Sequence, residues 1–232
     1  MLKRYPAAEH GKADHGWLKS LFHFSFADYH NPERMQFGAL RVVNDDLLTS
    51  GGGFDMHPHR NMEIISYVVD GELTHGDSLG NRNTIGRGEI QYMSAGSGVL
   101  HSEYNQGKDT LRFVQIWIVP QQTGLEPRYG DQRFLWQARE NRLLHLAAPQ
   151  GGGAPVEIGA DANLYAATLD AGKTLNVSVK KERQAYLLLL EGNLEVNGVE
   201  LKARDALESV AEDLALRSSE DSHFLVIEMA KD

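Results

Sequence analysis

Hydrophobic positions along this chain fall into short β-branched or aromatic runs, at residues 39–44, 64–69, 113–119 and 185–190, each bounded by Gly, Asn or Asp. The three-and-four spacing of an amphipathic helix is scarce. Turn pairs punctuate the runs: Asp70-Gly71, Gly80-Asn81, Glu191-Gly192 and Asn197-Gly198. Many short strands with turns at close intervals predict an all-β sandwich or barrel.

The pattern also repeats. Tyr67-Val-Val-Asp-Gly-Glu-Leu73 resembles Leu188-Leu-Leu-Glu-Gly-Asn-Leu194, and Phe113-Val-Gln-Ile-Trp-Ile118 resembles Phe224-Leu-Val-Ile-Glu-Met229. Two copies of one β-domain are expected, joined near 140–155, where residues 149–155 (PQGGGAP) are the most linker-like stretch.

Candidate chemistry sits on two glycine-led segments. In Gly51-Gly-Gly-Phe-Asp-Met-His-Pro-His59, an extended backbone points His57 and His59 the same way, and Pro58 biases His57 away from helix. In Gly96-Ser-Gly-Val-Leu-His-Ser-Glu103, His101 and Glu103 have the same spacing. If the two strands face each other, three nitrogens and one carboxylate converge and leave one or two positions open, which suits a catalytic divalent metal. A lone buried histidine is more often a hydrogen-bonded core residue. On that ground His10, His15, His30, His145 and His223 are read as surface or core, while His23 and His75 are alternating strand residues that could line a pocket.

Composition narrows the field. The 232 residues suit one large domain or two smaller ones, and the net charge of -9 gives no global attraction for nucleic acid or anionic membrane. With no cysteine, thiol catalysis, disulfides and iron–sulfur clusters are excluded. No apolar leader or spanning segment is apparent, so a cytoplasmic protein is expected.

Gly51, His57, His59, Glu63 and Gly71 resemble the first cupin motif, with one extra residue before the last glycine, and Gly88, Gly98, His101 and Asn105 resemble the second, with a loop two residues longer and Gly96 in place of a proline. The stretches His15-Gly-Trp-Leu18, His23-Phe-Ser-Phe26, Phe37-Gly-Ala-Leu-Arg-Val-Val-Asn-Asp-Asp46, His57-Pro-His59, Met93-Ser-Ala-Gly-Ser-Gly98 and His101-Ser-Glu-Tyr-Asn105 look like the pirin family, densely from about residue 4 to 130 and thinly after that.

That resemblance implies a bicupin, two tandem antiparallel jelly-roll-like β-barrels. Residues 1–140 would form the metal-binding domain and residues 141–232 a degenerate one without metal. It implies His57, His59, His101 and Glu103 as ligands, with Glu103 also the general base. Glu63 is then either a carboxylate orienting an imidazole or a plain strand residue. An ungapped alignment of the halves puts Ser178 and Lys180 at the positions of His57 and His59, and Arg217 and Ser219 near those of His101 and Glu103. The implied activity is quercetin 2,3-dioxygenase-type ring cleavage of a flavonol by dioxygen with carbon monoxide release. One divalent metal per chain is expected, Fe(II) first, with Mn, Ni, Co, Cu or Zn as the other options. The alternatives are a non-catalytic, redox-sensitive metal protein that regulates a transcription factor or metabolic enzyme, and a different small enol or diol as substrate.

Overall fold

The computed structural model describes residues 1–231. It is almost entirely β and forms two compact units, one of Gly11–Phe134 with Ile158–Ala160, the other of Met1–His10, Leu135–Glu157 and the residues from Asp161 on. No helix among the described residues is long and apolar enough to cross a membrane.

The first unit has a seven-stranded sheet in the order Arg128–Gln132, Ile90–Ser94, Glu63–Asp70, Leu111–Ile118, Leu40–Leu48, Leu18–Phe22, Gly11–Asp14. Its four-stranded sheet runs Gly53–His59, Val99–Tyr104, Glu72–Asp77, Arg82–Gly86. Leu48, Val68 and Phe113 of the larger sheet meet Leu73 and Ile85 of the smaller, so the core lies between them. The hydrogen-bonded order stops at each sheet's edges. Each unit is therefore an open jelly roll of two facing sheets, which is the sandwich of the two forms that the strand pattern allowed and the cupin-like form that the resemblance implied.

The second unit repeats this plan. Its larger sheet runs Leu2–Tyr5, Ala206–Val210, Arg183–Glu191, Ser222–Ala230, Ala162–Leu169, Leu144–Pro149, Val156–Ile158. Its smaller sheet runs Thr174–Val177, Leu214–Ser218, Asn193–Val196, Val199–Lys202. The repeat seen in the sequence falls at one place in both. Gly71 and Gly192 follow their strands with φ of 82° and 84°, a left-handed conformation that glycine adopts without a Cβ clash. Phe113 faces Val68 as Phe224 faces Leu189.

Two boundaries differ from the sequence expectation. Leu2–Tyr5 pairs with Ala206–Val210, and Arg4 donates to Asp205 through Nε and Nη2 at 3.0 and 2.7 Å. The first ten residues thus belong with the second half, and one cut at residue 140 does not describe the compact units. The glycine-rich stretch 149–155 is no linker between units. It turns Leu144–Pro149 into the neighbouring strand Val156–Ile158, using positive φ at Gly151 and Gly153.

Candidate metal centre

Gly53–His59 is an edge strand, so Pro58, which lacks an N–H, costs no ladder hydrogen bond. Alternation puts His57 and His59 on one half-buried face, with Pro58 exposed between them. The neighbouring strand pairs antiparallel, His101 opposite His57, with a bulge before Glu103. Close backbone approach explains the glycines. A Cβ on Gly53 would stand 2.3 Å from the Tyr104 ring, and one on Gly96 would stand 2.1 Å from the Leu125 carbonyl oxygen.

The three imidazoles form a cluster in which one ring nitrogen from each lies within 4.8 Å of the others. Their chemistry suits a cation. The Nδ1 of His57 lies 2.7 Å from the Asp55 carbonyl oxygen. A carbonyl only accepts, so Nδ1 carries the proton and Nε2 keeps its lone pair. That Nε2 lies 3.1 Å from the Nε2 of His101, whose Nδ1 is buried with no hydrogen-bond partner. Burial first, then the neighbouring imidazoles, lowers His59 to about 4 and His101 to about 3. Both are neutral near pH 7, the form that binds metal. This donor set fits one divalent transition metal.

Glu103 lies outside that trio but on the wall of the same cavity. It is 0 % exposed and held by three donors. Ser66 Oγ at 2.9 Å and Gln91 Nε2 at 2.5 Å donate to Oε1, and Gln115 Nε2 at 2.5 Å donates to Oε2. A carboxylate has about four lone-pair sites, so Oε2 keeps one for a ligand. Gln115 is fixed in turn by the indole Nε1 of Trp117 at 3.2 Å, and Trp117 packs edge-on to His59 with ring centroids 4.8 Å apart.

The cavity holds about 320 Å³ and is lined by His57, His59 and Glu103, by Trp17, Phe22, Phe26, Phe54 and Trp117, and by the polar residues His15, Ser20, Asn44, Asp46 and Gln115. An apolar wall with a few convergent polar groups is the usual form of a small-molecule site. His15, read from the sequence as a surface or core residue, lies on the cavity wall, and Asn44, not singled out at all, lies there too; their partners in the cavity are distant in the chain. His75 is buried beside His101, stacked on Tyr129 and bonded through Nε2 to Asp77 at 3.0 Å; it does not line the cavity. Glu63 is buried, accepts a hydrogen bond from Ser94 and has no hydrogen bond to the histidine cluster. Of the two readings offered for it, the structure favours a strand residue.

In the second unit the register corrects the ungapped alignment. Val177 faces Leu214 as His57 faces His101, and Val196 faces Leu216 as His75 faces Glu103. Val177, Val179, Leu214 and Leu216 therefore stand where the sequence comparison had put Ser178, Lys180, Arg217 and Ser219. The segment before Gly192 is one residue longer than its counterpart and the loop before Leu214 is three shorter. A one-residue slip moves every side chain to the other face of a strand, and Ser178, Lys180 and Arg217 are accordingly exposed.

A pirin sequence profile matches residues 4–118, and a profile described as a quercetinase C-terminal cupin domain matches residues 145–229. The chain is 43% identical to a pirin-like protein of Caulobacter vibrioides, over 99% of this chain and 100% of that one. It is 39% identical to a quercetin 2,3-dioxygenase of Escherichia coli K12, over 96% of each. Among solved structures, the bacterial pirin YhhW from Escherichia coli in complex with nickel(II) superposes with a TM-score of 0.94 at 36% identity, covering 100% of both chains. On matching motifs, full-length similarity and one shared fold, the chain belongs to the pirin family.

Proposed function

We propose that this chain is a metal-dependent quercetin 2,3-dioxygenase whose metal is held in the first unit by His57, His59, His101 and Glu103. The observation that carries the reading is the meeting of three clustered imidazoles with an aromatic-walled cavity that His57, His59 and the buried Glu103 carboxylate line. When bound, a divalent metal orients substrate and dioxygen and stabilises the charge that develops between them. Fe(II) is the expected metal, and the nickel(II) complex of the Escherichia coli pirin supports a site open to several divalent ions.

The residues of the chain do the rest. Trp17, Phe54 and Trp117 bound a slot for a planar ring system. Glu103 would use the one remaining lone pair of Oε2 first toward the metal and, once displaced from it, to accept the proton of the flavonol 3-hydroxyl. Gln115, donating to the same oxygen, holds it in place. The apolar wall keeps water from the opened ring. Both oxygen atoms of dioxygen enter the depside, and ring carbon 3 leaves with its oxygen as carbon monoxide.

Two further proposals complete the reading. The second unit, aliphatic at the corresponding positions, binds no metal, and the chain works in the cytoplasm. A regulatory metal protein would have no use for a substrate-sized cavity on its metal ligands, so the cavity supports turnover. The test is metal-free protein reloaded in turn with Fe(II), Mn, Ni, Co, Cu or Zn, given quercetin and air, and scored by carbon monoxide. Release that a chelator abolishes is expected. One bound ion per chain without release from any metal refutes the enzymatic reading.

A further inference from the structure

We infer that His75 is a positioning residue for the metal centre: its Nδ1 accepts the Nδ1 proton of His101 when a metal takes His101 Nε2, so that Asp77, His75 and His101 make one buried chain of hydrogen bonds behind the ion. The inference rests on the metal site proposed above and names a residue that acts through one of its ligands. A ligating imidazole needs an acceptor for the N–H of its other nitrogen, which fixes the ring and raises the basicity of the nitrogen that binds. The three histidines differ in how they meet that need. His57 Nδ1 has the Asp55 carbonyl oxygen at 2.7 Å. His59 is half-buried, so water can serve it. His101 is 1 % exposed, and its Nδ1 is buried without a partner.

The ring of His75 stands beside it, with centroids 5.4 Å apart and planes at 51°. Across the adjacent strands Glu72–Asp77 and Val99–Tyr104, His75 pairs with Glu103 and Asp77 with His101, so all four side chains share one face of the smaller sheet. His75 Nε2 lies 3.0 Å from Asp77 Oδ2, and both side chains are closed off from solvent. Asp77 also receives the Asn81 amide at 2.9 Å and the backbone N–H groups of Leu79 and Asn81 at 2.9 and 3.0 Å, so it meets His75 as an acceptor. His75 Nε2 therefore carries the proton, and Nδ1 of the neutral ring holds a lone pair. That Nδ1 too is buried without a partner. One ring has an unused acceptor. Its neighbour has an unused donor whenever His101 Nε2 is committed to a cation. Paired, each meets the need of the other; apart, both are unfavourable. Tyr129 stacks on His75 with centroids 4.1 Å apart and planes at 13°, which holds the ring in place. A side chain kept for packing alone would need no buried carboxylate, and an apolar ring would fill the space at less cost.

The first arm of the test uses the unaltered full chain, labelled with nitrogen-15 and loaded with zinc(II). NMR is expected to show a slowly exchanging His101 Nδ1–H with a scalar coupling through the hydrogen bond to His75 Nδ1. The second arm measures nickel(II) affinity by competition with a chelator. His75→Phe keeps an aromatic ring between Tyr129 and His101 and removes both nitrogens; it is expected to weaken nickel binding about 10- to 100-fold. His75→Asn, which returns an oxygen acceptor close to the Nδ1 position, is expected to recover part of that loss. A His101 Nδ1–H bonded to a different acceptor, or nickel affinity in His75→Phe within about 3-fold of wild type, overturns the role given to His75. The NMR result decides alone if the variants do not fold. An unaltered chain that binds neither zinc nor nickel sinks the metal-centre reading itself.

Discussion

At the centre of the first unit Ser66 pairs with Gln91 on one side and Gln115 on the other, and all three donate to Glu103. At the same register in the second unit Leu187 pairs with Leu207 and Val226, and Leu216 takes the place of Glu103. One backbone plan thus carries a hydrogen-bonded polar quartet in one copy, in which only Gln91 Oε1 lacks a partner, and an aliphatic quartet in the other. Both arrangements are tolerated, because the carboxylate, the costliest group to bury, has three donors and an apolar group needs none. A mixture of the two would not be. At the matching positions the second copy is aliphatic: Val177, Val179, Leu214 and Leu216 join Leu187, Leu207 and Val226 in a single cluster, and the cavity that reaches Val177 is lined by Asp161, Arg183 and Glu228 with no imidazole. The first copy keeps a cavity and an orphaned imidazole nitrogen. The duplicated fold supplies the scaffold, and the side chains at a few inward positions set whether it holds a reactive site or a core.

The largest expected effect is at the imidazoles. His101→Ala should leave no bound metal where the wild type binds one ion per chain, measured by elemental analysis after dialysis. Full occupancy in that variant refutes the ligand assignment.

Placing the polar member of one quartet into the other comes next. Leu216→Glu puts a carboxylate among Leu187, Leu207 and Val226 with no donor, and should cost about 3 kcal/mol or more of stability in urea unfolding. Leu216→Met, an apolar swap of similar volume, should cost under about 1.5 kcal/mol. Equal losses would mean that packing, not polarity, separates the two units.

Gln115→Leu removes one donor from Glu103 and the acceptor of the Trp117 indole. A loss of about 1–3 kcal/mol is expected, with kcat for quercetin falling more than metal content. A variant with normal kcat would show that Gln115 does not position the carboxylate for proton transfer.

The smallest effect is expected at Lys180, which is exposed and has no ion-pair partner among the described residues. Lys180→Ala should change stability by no more than about 0.5 kcal/mol and leave metal stoichiometry at one ion per chain. A second metal bound in that variant would restore the idea that charge repulsion keeps cations out of the second unit.

Much of the site was legible because strand periodicity is strict. His57 and His59 stand two apart around a proline, His101 and Glu103 two apart after glycines, and such spacing fixes a shared face whatever the strand's neighbours. The metal trio follows from that alone once the strands pair. What could not be read were contacts between strands far apart in the chain. Ser66, Gln91 and Gln115 carry no motif, and become a carboxylate cradle only when three strands bring them to one point. Asn44 and His15 enter the cavity in the same way.

The second half shows the complementary limit. Its hydrophobic pattern and the glycine turn at Gly192 were enough to mark it as a copy of the first. The residues at its centre were misplaced, because loop lengths changed by one and by three residues and a strand's inward face reverses with every odd shift. By itself the sequence determined the strand plan, the duplication and the three imidazoles, since all of these rest on local spacing and turn chemistry. The tertiary structure alone decided which side chains fill each core, that Glu103 is caged by three donors, and that a cavity remains beside it, because these depend on register, and register is a property of paired strands.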